Sequence, residues 1–419
     1  MDPERFAALW QSLAPIGRAE SGGYLRYAWS EADLACREWF VEEAHDRNLT
    51  VSADGNGNLW AWLGDPGAGD AVVTGSHFDS VPHGGGYDGP LGIVSALLAL
   101  DLLRERGASP VRPIGVAAFT EEEGSRFGVA CLGSRLLTGA IDADRARSLT
   151  DRDGITLARA MADAGSDPSG LGADPARVGG IGAFVELHVE QGRALVDLAA
   201  PVGVASAIWP HGRWRLDFTG EGNHAGTTRM GDRRDPMLTY AYTALVANKE
   251  ARLASAHATV GRIRVEPNAT NAIPSRVTAW LDARASDQST LDSLVDTVRL
   301  RAQDRAGRDG TQFSMVSESM SPVTEFDAVL RDRIAATFAG PLGGALGWTP
   351  DGISPGVPTL PTGAGHDAGI LAAAGVPTAM LFVRNPTGVS HAPAEHATDA
   401  DCAAGVEALA AVLEDLTCR

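Results

Sequence analysis

Cysteine is scarce in this 419-residue chain: there are four, Cys36, Cys131, Cys402 and Cys418, widely scattered and without a C-x-x-C pair. That argues against a disulfide framework and against a thiolate metal site, and leaves buried or incidental thiols. No apolar run approaches the length of a membrane span, so no transmembrane segment is expected. The start, MDPERFAALWQSLAPIG, lacks the basic, apolar and small-residue regions of a signal peptide, and a cytoplasmic location is expected. Positive charge is also short: 35 Lys and Arg against 53 Asp and Glu leave a net charge of −18. That balance argues against nucleic acid or an anionic membrane surface as a partner. An anionic substrate gains nothing from this background and needs a local arginine.

The length suffices for two domains, one of them inserted in the other. Residues 1–208 read as α/β, with strands over NLWAWLG (58–64), VVTGSHF (72–78), IGVAAFT (114–120) and GAFVELHVEQG (182–192), and a helix over 91–105. The polar, Gly/Pro-punctuated segment 150–180 is expected as short helices and loops on the outside. Residues 209–325 change style. Strand patterns at 212–220, 259–267, 275–286 and 313–323 and helical patterns at 235–255 and 291–307 give the order β-α-β-β-α-β. That is the ferredoxin-like split motif, a compact insertion with one open sheet face. Residues 326–419 return to α/β, with a strand over VPTAMLFVR (376–384) and a closing amphipathic helix over 402–416.

The stretch GSHFDSVPHGGGYDGPLG (75–92) holds two histidines, two aspartates and six glycines between a strand and a helix. In open α/β sheets that is where ligands bind. His77 and Asp79, two apart at a strand end, face the same side, so Asp79 is placed to orient His77 or to act through its backbone neighbours. Asp88 follows a glycine run that lets backbone approach closely. FTEEEGSRFG (119–128) sets Glu121, Glu122 and Glu123 directly after another strand; His188 lies in VELHVEQG, and His391 in PTGVSHAPAEH after the strand ending near Arg384. Singly, each is a turn or capping residue, or part of a solvated helix start. Together, three imidazoles and several carboxylates at strand ends of one sheet form an N/O donor set suited to Zn²⁺, Mn²⁺ or Co²⁺.

These stretches, with GEGNHAGTTRMGDRRDP, PNATNAIPS and GAGHDAGIL, run in order over nearly the whole chain. In them the sequence resembles the hydantoinase/carbamoylase branch of the M20 dinuclear metallohydrolases, which includes N-carbamoyl-L-amino acid hydrolases, allantoate amidohydrolases and β-ureidopropionases. The resemblance implies an α/β, two-domain, phosphorylase/hydrolase-like fold. A dinuclear-metal catalytic domain (1–208 and 326–419) would carry an inserted ferredoxin-like α+β lid and dimerisation domain (209–325), making the protein a homodimer. It implies two divalent metal ions per subunit, Zn or Mn with Co or Ni also accepted. One is held by His77 and His188, the second by Glu123 and His391, and Asp88 bridges both.

The implied reaction is hydrolysis of the linear amide or ureido C–N bond of allantoate or an N-carbamoyl-L-amino acid, by a metal-activated hydroxide with Glu122 as general base and Asp79 as its catalytic supporter. His224 would stabilise the oxyanion, acting at the partner subunit's site; the alternative for it is a buried histidine hydrogen-bonded in the sheet. Arg284 would clamp the substrate carboxylate through its planar fork. Gln191, Asn271, Gly365 and His366 match further substrate-contacting positions. Other N-acyl amino acids such as N-formyl derivatives, dipeptides, and a catalytically silent binding protein are the competing readings. The complete set of five ligand positions and Glu122 weighs against the last. His83 reads as a rim residue; Arg229, Arg233 and Arg234 follow the His224 motif, and a solvated charge cluster explains them as well.

Overall fold

Strand Ala71–His77 is buried along its whole length. Both neighbours, Ile114–Phe119 and Ile181–Val189, run parallel to it, and helix Pro90–Glu105 packs on it. A strand enclosed in this way carries a continuous small and β-branched run rather than an alternation. The structure, a computed structural model, describes residues 1–338 and 356–418; within the expected 326–419 segment, residues 339–355 and 419 lie outside them. Two compact units result: Met1–Ser206 with Glu325–Arg419, and Ala207–Thr324.

The first unit is built on a large mixed sheet. Seven of its strands follow in the order Thr50–Ala53, Leu59–Leu63, Ile114–Phe119, Ala71–His77, Ile181–Val189, Thr378–Val383, Val202–Ile208, with the short Thr324–Glu325 and Thr359–Thr362 both beside the last. The four central strands from Ile114–Phe119 to Thr378–Val383 are mutually parallel, and the flanking pairings are antiparallel. Parallel strands deliver their C-terminal ends to one edge of a sheet. His77 closes its strand opposite Phe119, after which Glu121–Glu123 follow. His188 lies opposite Phe382, and the chain leaving Val383 leads to the loop of His391. One edge thus receives every group singled out in this half of the sequence.

Helix Pro90–Glu105 starts on Pro90, whose fixed φ suits a first helical position. It buries almost every residue to Leu103, as expected of a helix apolar all round. Helix Asp399–Thr417, capped by the Thr398 side chain, packs beside it. One expectation needs correcting. Segment 150–180 is not merely external: Leu157, Ala160, Met161 and Leu171 are buried with Trp29, Phe127, Leu132 and Leu136 in a small core of their own. Leu157, Ala160 and Met161 make an i, i+3, i+4 stripe on helix Leu157–Asp163, too short to register against its Gly- and Pro-rich surroundings.

The second unit has a four-stranded antiparallel sheet in the order Gln312–Ser321, His211–Thr219, Arg276–Arg284, His257–Glu266. Helices Pro236–Leu253 and Gln288–Asp309 pair with each other, capped by Asp235 and Asp287. Alternate residues Trp214, Leu216 and Phe218, and Val277, Ala279, Leu281 and Ala283, are buried with the helices, as a sheet covered on one face requires. Among the described residues no helix is long and apolar enough to cross a membrane.

Candidate metal centre

Asp88 sits two residues before Pro90 and presents its two carboxylate oxygens to different partners. Oδ1 lies 3.2 Å from His188 Nε2 and 3.8 Å from His77 Nε2. Oδ2 lies 3.3 Å from His391 Nε2, which is in turn 3.4 Å from Glu123 Oε1. Two triplets of donors therefore share Asp88: His77, Asp88, His188, and Asp88, Glu123, His391, the donor atoms of each within 4.8 Å of one another.

The histidine tautomers follow from the other ring nitrogen. His77 Nδ1 is 3.0 Å from the Asp79 carbonyl, and His188 Nδ1 is 3.0 Å from the Val189 carbonyl. A carbonyl only accepts, so Nδ1 carries the proton in both rings and Nε2 offers a lone pair. Those Nε2 atoms and Glu123 Oε1 are buried without a hydrogen-bond partner. Such orphaned atoms are rare inside proteins unless a further group meets them, and here they converge on Asp88. A nitrogen-and-oxygen set of this composition fits divalent transition-metal cations.

The charges press on one another. Burial works to lower the His77 pKa, yet its hydrogen bond to Asp79 and the Glu122, Asp79 and Asp88 charges raise it well above the usual range. Burial raises Asp88, but His188 and His391 hold it well below the usual carboxylate range. Burial lifts Glu122 far above its ordinary value against the opposing charge of His77, helped by Asp367, Glu123 and Asp79. Burial and then the Asp88 charge bring Glu123 to about 7; the hydrogen bond to Asp88 brings the half-exposed His391 to about 9. Around an ionised Asp88, His77, Glu122, Glu123 and His391 thus hold protons more tightly than free groups do, and a cation binding at His77, Glu123 and His391 displaces them.

Backbone fixes the glutamates. Asp79 lies beyond the strand end, and its carboxylate accepts the N–H groups of Glu122 and Glu123, both at 3.0 Å, while its carbonyl serves His77. Asp79 thus meets His77 through its carbonyl at 3.0 Å and, at 3.6 Å, through the same carboxylate that holds the glutamate backbone. Glu121 has φ 56°, a left-handed conformation that strains a non-glycine residue, and its Oε1 accepts from the N–H groups of Arg126 and Phe127 at 2.9 and 2.6 Å. Glu122 is buried, with Oε2 3.8 Å from His77 Nε2.

Several residues here carry no sequence signal. Glu395 Oε1 accepts from the N–H groups of Tyr87 and Asp88 at 2.9 Å each, and Oε2 takes Ser390 Oγ at 3.1 Å. It ties the Asp88 loop to the His391 loop. Glu186, fully buried, accepts from Ser76 Oγ and the Ala368 N–H. With His188 and His366 it forms a third close donor group. Asp367 is held by Ser134.

Among the expected substrate residues, Gln191 sits at Asp88 itself, its Nε2 donating to Oδ2 at 2.9 Å. His366 is buried with its ring 4.5 Å from that of His188, and burial followed by neighbouring imidazoles pushes its pKa well down. Gly365 is exposed. The second unit holds the rest. His224 is exposed, so the buried-histidine alternative is overturned: its strand is a two-residue pairing with Ala272–Ile273 that offers nothing to cover the ring. Its Nδ1 accepts the Gly226 N–H at 2.9 Å. Asn271 is exposed, and its carbonyl takes the Ala225 N–H. Arg233, read as part of a solvated cluster, instead donates to the Ala225 and Thr228 carbonyls and holds the His224 loop. The Arg284 guanidinium meets Asp282 in a two-point contact at 2.8 and 3.1 Å. His83 is exposed beside Ser21.

Gly89 gives a first test. Its φ is +88°, and an added Cβ would lie 2.5 Å from His77 Cε1. Gly89→Ala is expected to push the imidazole aside and weaken cation binding by about 10- to 100-fold, the range for disturbed metal surroundings, read by competition with a chromophoric chelator.

Compared with known proteins, residues 73–415 match the profile of Peptidase family M20/M25/M40. The chain is 35% identical over 415 residues to an N-carbamoyl-L-amino acid amidohydrolase of Geobacillus stearothermophilus, covering 96% of each chain. It is 32% identical over 420 residues to an allantoate amidohydrolase of Escherichia coli, covering 96% of this chain and 95% of that one. Among solved structures, an amidase of the hydantoinase/carbamoylase family from Burkholderia multivorans superposes with a TM-score of 0.85 at 29% identity, covering 100% of this chain and 98% of the other.

Proposed function

We propose, from the premise that this chain belongs to Peptidase family M20/M25/M40, that it is a metal-dependent amidohydrolase cleaving the linear amide or ureido C–N bond of a small carboxylate, either an N-carbamoyl-L-amino acid or allantoate. The observation that carries this reading is the pair of donor triplets sharing Asp88, with the Glu122 carboxylate at their edge. The named activities of the two amidohydrolase relatives supply the substrate class.

Two divalent cations, Zn²⁺ or Mn²⁺ with Co²⁺ or Ni²⁺ accepted, would be held by His77 and His188, by Glu123 and His391, and by Asp88 between them. Bound there, they would polarise a carbonyl and bring the pKa of water toward neutrality. Glu122 takes a proton at Oε2 and returns it to the leaving nitrogen as general base and then acid. Asp79 holds the backbone of Glu122 and Glu123, so that base and ligand keep their spacing. His224 is the proposed oxyanion donor, and Arg284 the proposed carboxylate clamp. Gln191, Asn271, Gly365 and His366 are the remaining substrate contacts. Residues 209–325 serve as a ferredoxin-like lid and dimerisation domain, so that His224 acts in the partner subunit of a homodimer. Residues 1–208 and 326–419 form the catalytic domain. We place the enzyme in the cytoplasm, acting on small molecules rather than nucleic acid or membranes.

The test is a substrate panel on cation-reconstituted protein. Ammonia release from allantoate or from N-carbamoyl-L-amino acids is expected. Turnover confined to N-formyl amino acids moves the substrate to other N-acyl compounds. Cleavage of dipeptides alone overturns the reading, and a fully loaded protein that turns over none of them is a binding protein.

A further inference from the structure

Cys131 is a buried thiol that the proposed reaction leaves unused. Its Sγ lies 3.2 Å from Glu122 Oε1 and donates to it. The residue is held there at a conformational cost. Its φ and ψ of 54° and 39° are left-handed, uncommon for a residue with a Cβ and concentrated where surroundings over-determine the backbone. Those surroundings are the glutamate segment itself. The N–H of Cys131 donates to the Glu122 carbonyl at 2.6 Å, that of Leu132 to the Glu121 carbonyl at 3.0 Å, and that of Gly133 to the Thr120 carbonyl at 2.9 Å. A short antiparallel-like run thus lays residues 131–133 against residues 120–122 and presses the thiol onto the carboxylate.

The two Glu122 oxygens are consequently unequal. Oε1 is engaged by the thiol, while Oε2 faces His77 Nε2 at 3.8 Å and the shared donors around Asp88. A thiol is a weak donor, yet a carboxylate held at one oxygen is biased toward one setting of its terminal torsion, a broad and nearly two-fold rotor when free. The oxygen aimed at the reacting atoms is then favoured before substrate arrives, and such pre-positioning is worth more to a proton-transfer step than to substrate binding.

We propose that Cys131 is a positioning residue for the general base: its S–H tethers Glu122 Oε1 and thereby dedicates Oε2 to proton transfer. This rests on the reading of Glu122 as the base. Cys131→Ala removes the donor without adding backbone strain beyond that already borne by a Cβ-bearing residue, and Cys131→Ser restores a donor of similar reach. The expected result is a fall in kcat on the order of tenfold for Cys131→Ala, with KM and the cation content per subunit unchanged, and recovery to within a few-fold of the parent for Cys131→Ser. Glu122→Gln, assayed alongside, separates the two levels. If Glu122→Gln is inactive while Cys131→Ala keeps the parental kcat, the tether is wrong and the base assignment stands. If Glu122→Gln remains active, the base assignment falls and the tether with it. Equal loss in Cys131→Ala and Cys131→Ser, or loss of cation uptake or thermal stability in step with kcat in both, makes Cys131 a packing residue and overturns the proposal.

Discussion

Replacing Glu122 by Gln is expected to lower turnover by two to four orders of magnitude, the range supplied by a positioned general base, which at about 1.4 kcal/mol per tenfold is about 3–5 kcal/mol of barrier. The substitution keeps shape and volume and removes only the ability to take a proton. Asp79 grips the backbone N–H groups of residues 122 and 123, not the Glu122 side chain, so the segment stays in place. The donors around Asp88 are His77, His188, Glu123 and His391, so cation content should remain at the parental value. The comparison variant is Glu123→Gln. Its Oε1 is 3.4 Å from His391 Nε2, and losing that oxygen should reduce cation uptake together with activity. A base and a ligand that are sequence neighbours are thereby told apart by one measurement, the metal content of the purified variant. Turnover of Glu122→Gln within tenfold of the parent would show that another group carries the proton.

How much of the site is legible in the sequence depends on where the chemistry sits in the chain. His77, the three glutamates after Phe119, His188 and His391 are legible because parallel strands bring their C-terminal ends to one edge, and a polar residue after a β-branched run stands out. The second unit is legible for a similar reason: alternation at Trp214, Leu216 and Phe218 and at Val277, Ala279, Leu281 and Ala283 marks strands with one covered face. Thr50–Ala53 is not, because four residues, two polar and two small or apolar, are too short a run to stand out.

The supporting carboxylates are hidden for a different reason. Glu186 lies within an apolar strand, and its partners Ser76 and Ala368 are 110 and 182 residues away. Glu395 is paired 307 and 308 residues from Asp88 and Tyr87. Nothing local predicts contacts across such separations. Cys131 is the sharpest case, since a scattered cysteine reads as incidental until its sulfur is found against Glu122. Arg233 divides the other way: of its two readings, membership of the His224 motif agrees with its hydrogen bonds to the loop carbonyls, and a solvated charge does not.

Stripping the protein with a chelator should abolish activity, and the pH dependence of reloading should report the protons that the cations displace. His391 titrates near 9 and Glu123 near 7, while His77 is raised well above its ordinary value. A ligand must lose its proton to bind a metal, so uptake releases protons and tightens as pH rises. Between pH 7 and 9 the His391 proton contributes a rise of about tenfold per unit in the apparent association constant, to which the raised His77 and His188 imidazoles add, and below 7 the Glu123 proton steepens the slope. Stability of the stripped protein should move in the opposite sense. The raised His391 pKa contributes stability that is full below the ordinary histidine value and is lost as pH climbs through about 9. The raised Glu123 pKa likewise contributes stability that is full below the ordinary glutamate value and is lost as pH climbs to about 7. Bound cations reverse both terms. The gap in Tm between loaded and stripped protein is therefore expected to widen steadily from pH 6 to 9, measured by scanning calorimetry beside titrations in buffers of different ionisation enthalpy. Uptake that is flat across that range, or full-rate turnover by protein with no bound metal, would remove the cation pair from the mechanism.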